Sequence, residues 1–284
     1  MNSMKTALLL GFLTGLFLLA GYLLGGERGA LVALLLAGVM NFVSYFWSDK
    51  IVLAAYRARP VDRAQAPRLH ATVERLAQKA GIPVPRLYVV DSPALNAFAT
   101  GRNPRHAAVA ATSGILEALS EEELEGVLGH ELSHVLNRDI LVSSIAATLA
   151  GALTYLAQFA YFTGSGERDD RRGGNPLAFL FVIVAPFAAL LIQLAISRSR
   201  EYGADASGAR LVGDPRPLAG ALEKLEASSQ SVPLQTATPA TAHLCIVNPL
   251  AGGGIAALFS THPPVRERIR RLLSMTQGSA ALLR

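Results

Sequence analysis

The chain is short of charged residues and has almost no cysteine. Asp, Glu, Lys and Arg make up 17% of its 284 residues, whereas soluble globular domains carry about 25%. This deficit indicates that part of the chain does not face water, and the hydrophobic share of 51% excludes an intrinsically disordered protein. Because Cys245 is the single cysteine, the chain can form neither an intrachain disulfide nor a zinc finger with cysteine ligands.

Four apolar stretches contain no charged residue at all: 6–26, 29–48, 140–166 and 173–197. A helix of about 20 apolar residues is long enough to cross the hydrocarbon core of a bilayer. Buried core helices of a large soluble domain are one alternative, and a signal peptide is another for the first stretch. Four such stretches in one chain favour membrane spans, and their spacing predicts two helical hairpins.

The polar residues lie in two blocks that follow these hairpins. The predicted organisation is a two-span transmembrane hairpin at 6–48, a cytoplasmic catalytic part at 49–139, a second two-span hairpin at 140–197 and a second cytoplasmic catalytic part at 198–284. Lys and Arg near span ends mark the cytoplasmic side. These residues concentrate in the two polar blocks: Lys50, Arg57, Arg59, Arg63 and Arg68 in the first, and Arg198, Arg200, Arg210 and Arg216 in the second. The pI of about 9.6 therefore reflects topology and contact with anionic lipid, and we expect no nucleic-acid partner.

Local patterns predict both helices and strands in the first polar block. Residues 67–80 have helical spacing that stops at Gly81, and strands are expected at 86–91, 96–100 and 106–111. A further helix is expected to begin at Glu121, because Ser120 and Glu123 form a capping box. The block is thus predicted to combine α and β structure.

This capped helix carries the pattern His130-Glu131-Leu132-Ser133-His134, which is H-E-x-x-H. Positions i and i+4 project from one helix face, so both imidazoles can reach one metal ion. Glu131 lies about 100° further round the helix, where it can take a proton from the attacking water. The nitrogen-rich ligand set favours zinc, although ligand type alone does not separate zinc from manganese or cobalt. The alternative is two surface histidines on a helix.

A catalytic zinc site also needs a third protein ligand. Asn137 and Ile140 stand where an H-E-x-x-H-x-x-G-x-x-H motif would have Gly and His, so that class is excluded. Glu201 is the candidate, because it lies four residues after the fourth apolar stretch and His134 lies six residues before the third, so both are held at the same predicted membrane face. The alternative is an ion pair of Glu201 with Arg198 or Arg200.

One helical turn after Glu201 stands Asp205. A carboxylate in that position can hold the second ring nitrogen of a metal-bound histidine. We therefore expect Asp205 to support the metal site without contacting the ion.

Together these motifs resemble the HtpX family of membrane-bound heat-shock zinc metalloproteases, which is related to CAAX prenyl proteases. The similarity spans nearly the whole chain. It rests on His130-Glu131-x-x-His134, Glu201-Tyr-x-Ala-Asp205, Phe259-Ser-Thr-His262-Pro-Pro264, Arg268-Ile269 and the segment Asn96-Ala-Phe-Ala-Thr-Gly101.

This resemblance implies an α-helical membrane protein with about four transmembrane helices and an α+β, gluzincin-like (zincin) catalytic domain. It implies one Zn²⁺ per chain, held by His130, His134 and Glu201. It also implies a multi-pass protein of the bacterial inner membrane, with its active site in the cytoplasm. The expected activity is that of an endopeptidase hydrolysing misfolded or damaged membrane proteins in quality control and stress response.

The resemblance also implies roles for residues outside the metal-binding motifs. An edge strand at 96–100 would pair with the substrate backbone, Asn96 would donate to the scissile carbonyl, and His262 would stabilise the oxyanion. The alternatives are a plain strand that begins with Asn96 and a loop histidine fixed by its neighbours. Expected partners are membrane-protein or peptide substrates and the lipid bilayer, while the oligomeric state is open.

Two other functions compete with quality control. One is a narrower processing peptidase of the CAAX type, which trims lipidated tails. The other is a membrane scaffold with an inert zinc site, which would have no need of Glu131 as a base.

Overall fold

The computed structural model describes residues 2–149, 198–232, 234, 236–238, 241–247 and 263–281. The third apolar stretch beyond residue 149, the whole of the fourth stretch and His262 lie outside the described residues.

Within these ranges the chain is mainly helical and has one small sheet. The helices are α1 (Asn2–Ala55), α2 (Pro67–Ala80), α3 (Ser113–Ala118), α4 (Glu121–Leu136), α5 (Asp139–Leu149), α6 (Arg198–Val212), α7 (Arg216–Ser231) and α8 (Val265–Ala281). The strands are β1 (Arg59–Pro60), β2 (Arg86–Val90), β3 (Ala97–Gly101) and β4 (Ala107–Thr112), and short 3₁₀ turns cover Pro104–His106 and Ala242–Leu244.

Helix α1 folds back on itself where two glycines interrupt it. Gly25 (φ −147°, ψ 19°) and Gly26 (φ 60°, ψ −144°) leave the helical conformation, and the positive φ of Gly26 suits a residue without a Cβ. The two arms then run side by side, and Asn41 Nδ2 in the second arm donates to Thr14 Oγ1 in the first at 2.9 Å.

The second arm of α1 is apolar on most of its surface. Large aliphatic side chains along it are exposed, including Leu31, Leu35 and Val39. Among the described residues, Gly25–Ala55 is the one helix that is long and apolar enough to cross a bilayer, and Thr6–Leu19 and Asp139–Leu149 are shorter apolar helices. Such an exposed apolar surface indicates a membrane protein. Of the four expected spans, one is matched by a helix of the required length.

The sheet has the strand order β1-β2-β4-β3. β2 and β4 are parallel, whereas β1 and β3 pair antiparallel with their neighbours. Alternate side chains of each strand face opposite sides, so that Val109 packs against α2 and α4 while Phe98 and Ala110 pack against the end of α1. The sheet therefore lies between helices α2 and α4 on one side and the foot of the hairpin on the other, with β3 at its edge.

Helix α4 begins where the sequence predicts. Ser120 Oγ accepts from the N–H of Glu123 at 3.2 Å, and the Glu123 carboxylate accepts from the N–H of Ser120 at 2.9 Å. The predicted capping box and the helix start at Glu121 are thereby confirmed. Helix α6 crosses α4 very closely. A Cβ on Gly208 of α6 would lie only 2.7 Å from the backbone nitrogen of His130 in α4.

Candidate metal centre

The structure brings His130, His134 and Glu201 together between α4 and α6. Their potential ligand atoms all lie within 4.8 Å of one another. The two Nε2 atoms are 3.2 Å apart, and Glu201 turns one carboxylate oxygen towards each, at 3.7 Å from His130 and 3.6 Å from His134. The two histidines are one turn apart on α4, so the helix itself sets their spacing.

The second ring nitrogen of each histidine faces a carboxylate. His130 Nδ1 lies 2.8 Å from Asp205 Oδ1, and His134 Nδ1 lies 3.3 Å from Asp139 Oδ2. A carboxylate accepts hydrogen bonds, so each Nδ1 can donate its proton there, and the Nε2 of each neutral imidazole then keeps a lone pair. Both lone pairs then point into the gap that faces Glu201.

These donor atoms fit a metal ion. Two imidazole nitrogens and a carboxylate that converge in this way call for a cation, which is a proton or a metal ion. The ligand atoms of a tetrahedral zinc site with bonds of about 2.0–2.1 Å lie roughly 3.3 Å apart, close to the spacing of 3.2–3.7 Å found here. Burial opposes a charge on His134, yet Asp139, Glu201 and Glu131 outweigh it and raise its pKa to about 9. The site therefore attracts positive charge strongly.

Glu131 lies next to this cluster and is 4% exposed. Burial raises the pKa of its carboxyl, while the two histidines and the backbone N–H of Ala99 in β3 oppose that rise. A carboxylate held in this way can accept and return a proton beside the cluster.

The edge strand β3 presents part of its backbone to the site. The N–H of Thr112 in β4 bonds the carbonyl of Asn96, so the alternation of an antiparallel ladder turns the polar groups of Ala97, Ala99 and Gly101 away from β4. One of these outward groups, the N–H of Gly101, donates to Ser144 Oγ at 3.4 Å.

Asn96 lies at the start of this edge, with both ends of its amide engaged. Its Nδ2 donates to Cys245 Sγ at 3.3 Å, and its Oδ1 accepts from the N–H of Ile246 at 3.2 Å. Cys245 is buried, and burial raises the pKa of its thiol to about 12. The segment 241–247 is thereby fastened to the edge strand, and it closes a cavity of about 40 Å³ beside Glu131 and the two histidines.

Each of the two aspartates that face the histidines also lies near an arginine. Arg268 in α8 makes a two-pronged contact with Asp205 at 2.7 and 2.8 Å, and Arg200 Nη1 lies 3.8 Å from Asp139 Oδ1. Arg268 holds the pKa of Asp205 well below its usual value although burial opposes this. The sequence places Arg268 among the residues that carry the family resemblance without giving it a contact, and it gives Asp139 no part in the site. Arg200 is expected there only as an alternative partner of Glu201.

The chain is similar to known peptidases over nearly its whole length. The model of the family described as "Peptidase family M48" matches residues 63–276. The "Protease HtpX homolog" of Persephonella marina is 54% identical over 283 residues, which are 98% of each chain. That of Paraburkholderia phytofirmans is 53% identical over 279 residues, covering 97% of this chain and 98% of the relative. The crystal structure of S. mikatae Ste24p matches at 20% identity with a TM-score of 0.48, covering 89% of this chain and 66% of that chain.

Proposed function

This chain belongs to peptidase family M48 and is a metallopeptidase, and from that premise we propose that it is a zinc-dependent endopeptidase of the bacterial inner membrane. Its proposed substrates are misfolded or damaged membrane proteins, as implied by the resemblance to HtpX proteases. The observation that carries the proposal is the convergence of His130, His134 and Glu201 beside the buried carboxylate of Glu131.

The proposed ligands of one Zn²⁺ are His130, His134 and Glu201. Two imidazoles and one carboxylate are a common ligand set of catalytic zinc. When bound, zinc supplies Lewis acidity to the scissile carbonyl and to water. The chain's own contribution is to orient these ligands, and Asp205 does so by holding the Nδ1 proton of His130.

Glu131 is the proposed general base and acid. It accepts a proton from the attacking water and then returns that proton to the leaving amine. Its position beside the ligand cluster, in the lining of a cavity that can hold water, supports this role.

Substrate is proposed to pair with the outer edge of β3. An added strand would use the outward backbone groups of Ala97 and Ala99, which requires the N–H of Ala99 to exchange the Glu131 carboxylate for the substrate. Asn96 is proposed to donate to the scissile carbonyl, which requires its Nδ2 to exchange Cys245 Sγ for the substrate. His262, which lies outside the described residues, is proposed to stabilise the oxyanion.

The membrane setting is proposed to include four spans, with a gluzincin-like catalytic part on the cytoplasmic side. The exposed apolar arm of α1 supports membrane insertion, and the Lys and Arg residues that follow the apolar stretches support this orientation. With the bilayer so close, membrane-embedded proteins are the natural substrates.

Glu131→Gln is the decisive test. Zinc content should stay at one per chain because the ligands are intact, while cleavage of a membrane-protein substrate in detergent should fall about 10²–10⁴-fold with the loss of the base. Glu125→Gln is the matched control, since Glu125 lies on the same helix and pairs with Arg75 and Lys79 away from the site. Full activity in Glu131→Gln would exclude Glu131 as the base and overturn this mechanism, whereas a zinc-loaded wild type that cleaves nothing would favour the inert scaffold.

A substrate comparison separates quality control from CAAX-type processing. Purified protein with zinc would be given prenylated peptides and a destabilised membrane protein in parallel. Preference for the membrane protein is expected, and cleavage restricted to prenylated peptides would favour the narrower peptidase.

A further inference from the structure

Arg268 is a fully buried arginine, and its hydrogen bonds to the described residues lead towards the metal centre. Its side chain is 0% exposed. Nε and Nη2 donate to the two oxygens of Asp205 at 2.8 and 2.7 Å, Nη1 donates to the carbonyl of Ile246 at 2.6 Å, and Nη2 lies 3.5 Å from His130 Nδ1. The guanidinium of Arg268 thus links helix α8 both to Asp205, which faces the proposed metal ligand His130, and to the segment 241–247.

We propose that Arg268 is a positioning residue, which fixes His130 for metal binding by holding Asp205 in one orientation. This inference rests on the proposed function. Asp205 Oδ1 faces His130 Nδ1 only while the carboxylate plane is held, and the arginine fork holds both of its oxygens. The ring orientation of His130, and with it the direction of the Nε2 lone pair, therefore depends on a residue on a distant helix.

Charge balance supports the same assignment. Asp205 is 3% exposed and would be a costly buried anion without a partner. Arg268 supplies the compensating charge through two hydrogen bonds, and Asp205 Oδ1 also faces His130 Nδ1 at 2.8 Å. A lysine keeps the charge but cannot bind two oxygens in one plane, so it should replace Arg268 only in part.

The bond to Ile246 gives Arg268 a second effect. Ile246 lies in the wall of the cavity that also contains His130 and Glu131. The same guanidinium therefore sets the position of that wall relative to the histidine, and its loss should disturb both together.

The test measures zinc affinity by competition with a chelating dye, using purified full-length protein in detergent. Arg268→Met should weaken zinc binding about 10–100-fold, as is typical when a partner of a metal ligand is lost, and Arg268→Lys should fall between Arg268→Met and the wild type. Arg270→Met is the matched control, since Arg270 lies on the same helix with an exposed side chain that pairs with Glu267. The visible spectrum of the cobalt-loaded protein should change in the Arg268 variants only.

Two further measurements separate positioning from general destabilisation. The thermal midpoint of the metal-free protein shows whether each variant is folded. If Arg268→Met is not folded, the zinc affinity of Arg268→Lys alone decides the test. Asp205→Asn combined with Arg268→Met should bind zinc no more weakly than the weaker single variant, because both act on His130 along one path.

Failure of this inference is distinguishable from failure of the proposed function. If the wild type binds no zinc at the His130 cluster, the proposed function is wrong. If the wild type binds zinc, and the folded Arg268 variants match Arg270→Met in affinity and cobalt spectrum, the role of Arg268 is overturned.

Discussion

At the scale of single residues, the two histidines of the site are held with different strength. His130 faces Asp205 at 2.8 Å, and Arg268 grips that aspartate with two short bonds. His134 faces Asp139 at 3.3 Å, and Arg200 lies 3.8 Å beyond it. Hydrogen-bond strength falls with distance and misalignment, so the first arrangement orients its imidazole more firmly than the second.

This difference predicts unequal effects of removing the two carboxylates. Asp205→Asn should weaken zinc binding about 10–100-fold, whereas Asp139→Asn should weaken it by less than about tenfold. Dye competition measures both constants. Asp214→Asn serves as the control, because Asp214 forms its ion pair with Arg216 at the surface. Equal losses in Asp205→Asn and Asp139→Asn would contradict the argument from distance.

How much of the site the sequence reveals depends on how each residue is positioned. His130, Glu131 and His134 are predictable because one helix fixes their spacing. Glu201 is predictable with less certainty, from its place at the end of an apolar stretch. The contacts of Arg268 arise from the way α8 packs across the site, and no spacing rule encodes a contact between elements that are distant in sequence.

At the scale of elements, the site depends on how closely α4 and α6 approach each other. At the crossing, Gly208 faces the backbone of His130, and added methyl carbons there would lie 2.7–2.9 Å from main-chain atoms. Real Cβ atoms do not approach the main chain so closely, so only glycine allows this separation. Glu201 and Asp205 precede Gly208 on α6 by about two turns and one turn, and the crossing places both within reach of the histidines.

Gly208→Ala should therefore push α6 away from α4. We expect a loss of about 1–3 kcal/mol in unfolding free energy from overpacking, together with weaker zinc binding. Gly203→Ala is the matched control on the same helix, since a Cβ there meets no atom of the described residues within 4 Å. This control should be neutral or stabilising by about 0.5–1 kcal/mol, because alanine favours helix more than glycine does.

Denaturant titration and dye competition check both variants. The expected pattern is a lower unfolding free energy in Gly208→Ala and an unchanged or higher one in Gly203→Ala. Equal stability and equal zinc affinity in Gly208→Ala and Gly203→Ala would show that the close crossing is not required.

Element boundaries and element pairing differ in how well the sequence predicts them. The helix expected over 67–80 occurs at Pro67–Ala80, and Gly81 ends it in a left-handed conformation (φ 67°), as a local signal should. The strand expected at 106–111 begins one residue later, because Pro104–His106 forms a 3₁₀ turn. The order β1-β2-β4-β3 and the two-residue strand β1 depend on contacts between distant segments, which local patterns do not contain.

At the scale of the whole molecule, the hairpin and the catalytic part share one packed core. Tyr56, just beyond the end of α1, stacks on Phe98 of β3 with ring centroids 4.6 Å apart, and its hydroxyl donates to the carbonyl of Thr241 at 2.9 Å. The apolar hairpin therefore continues directly into the wall of the site. If α1 is inserted in the bilayer, this connection holds the metal centre close to the membrane surface.

The proposed orientation then predicts which surfaces a membrane-impermeant maleimide can reach. In spheroplasts, Glu27→Cys at the exposed turn of the hairpin should be labelled, whereas Lys79→Cys on the exposed face of α2 should be labelled only after lysis. The wild type is the control, because Cys245 is 3% exposed and should give little background. Labelling of Lys79→Cys in intact spheroplasts would place the catalytic part outside the cytoplasm, and the basic residues of the polar blocks would then need another explanation.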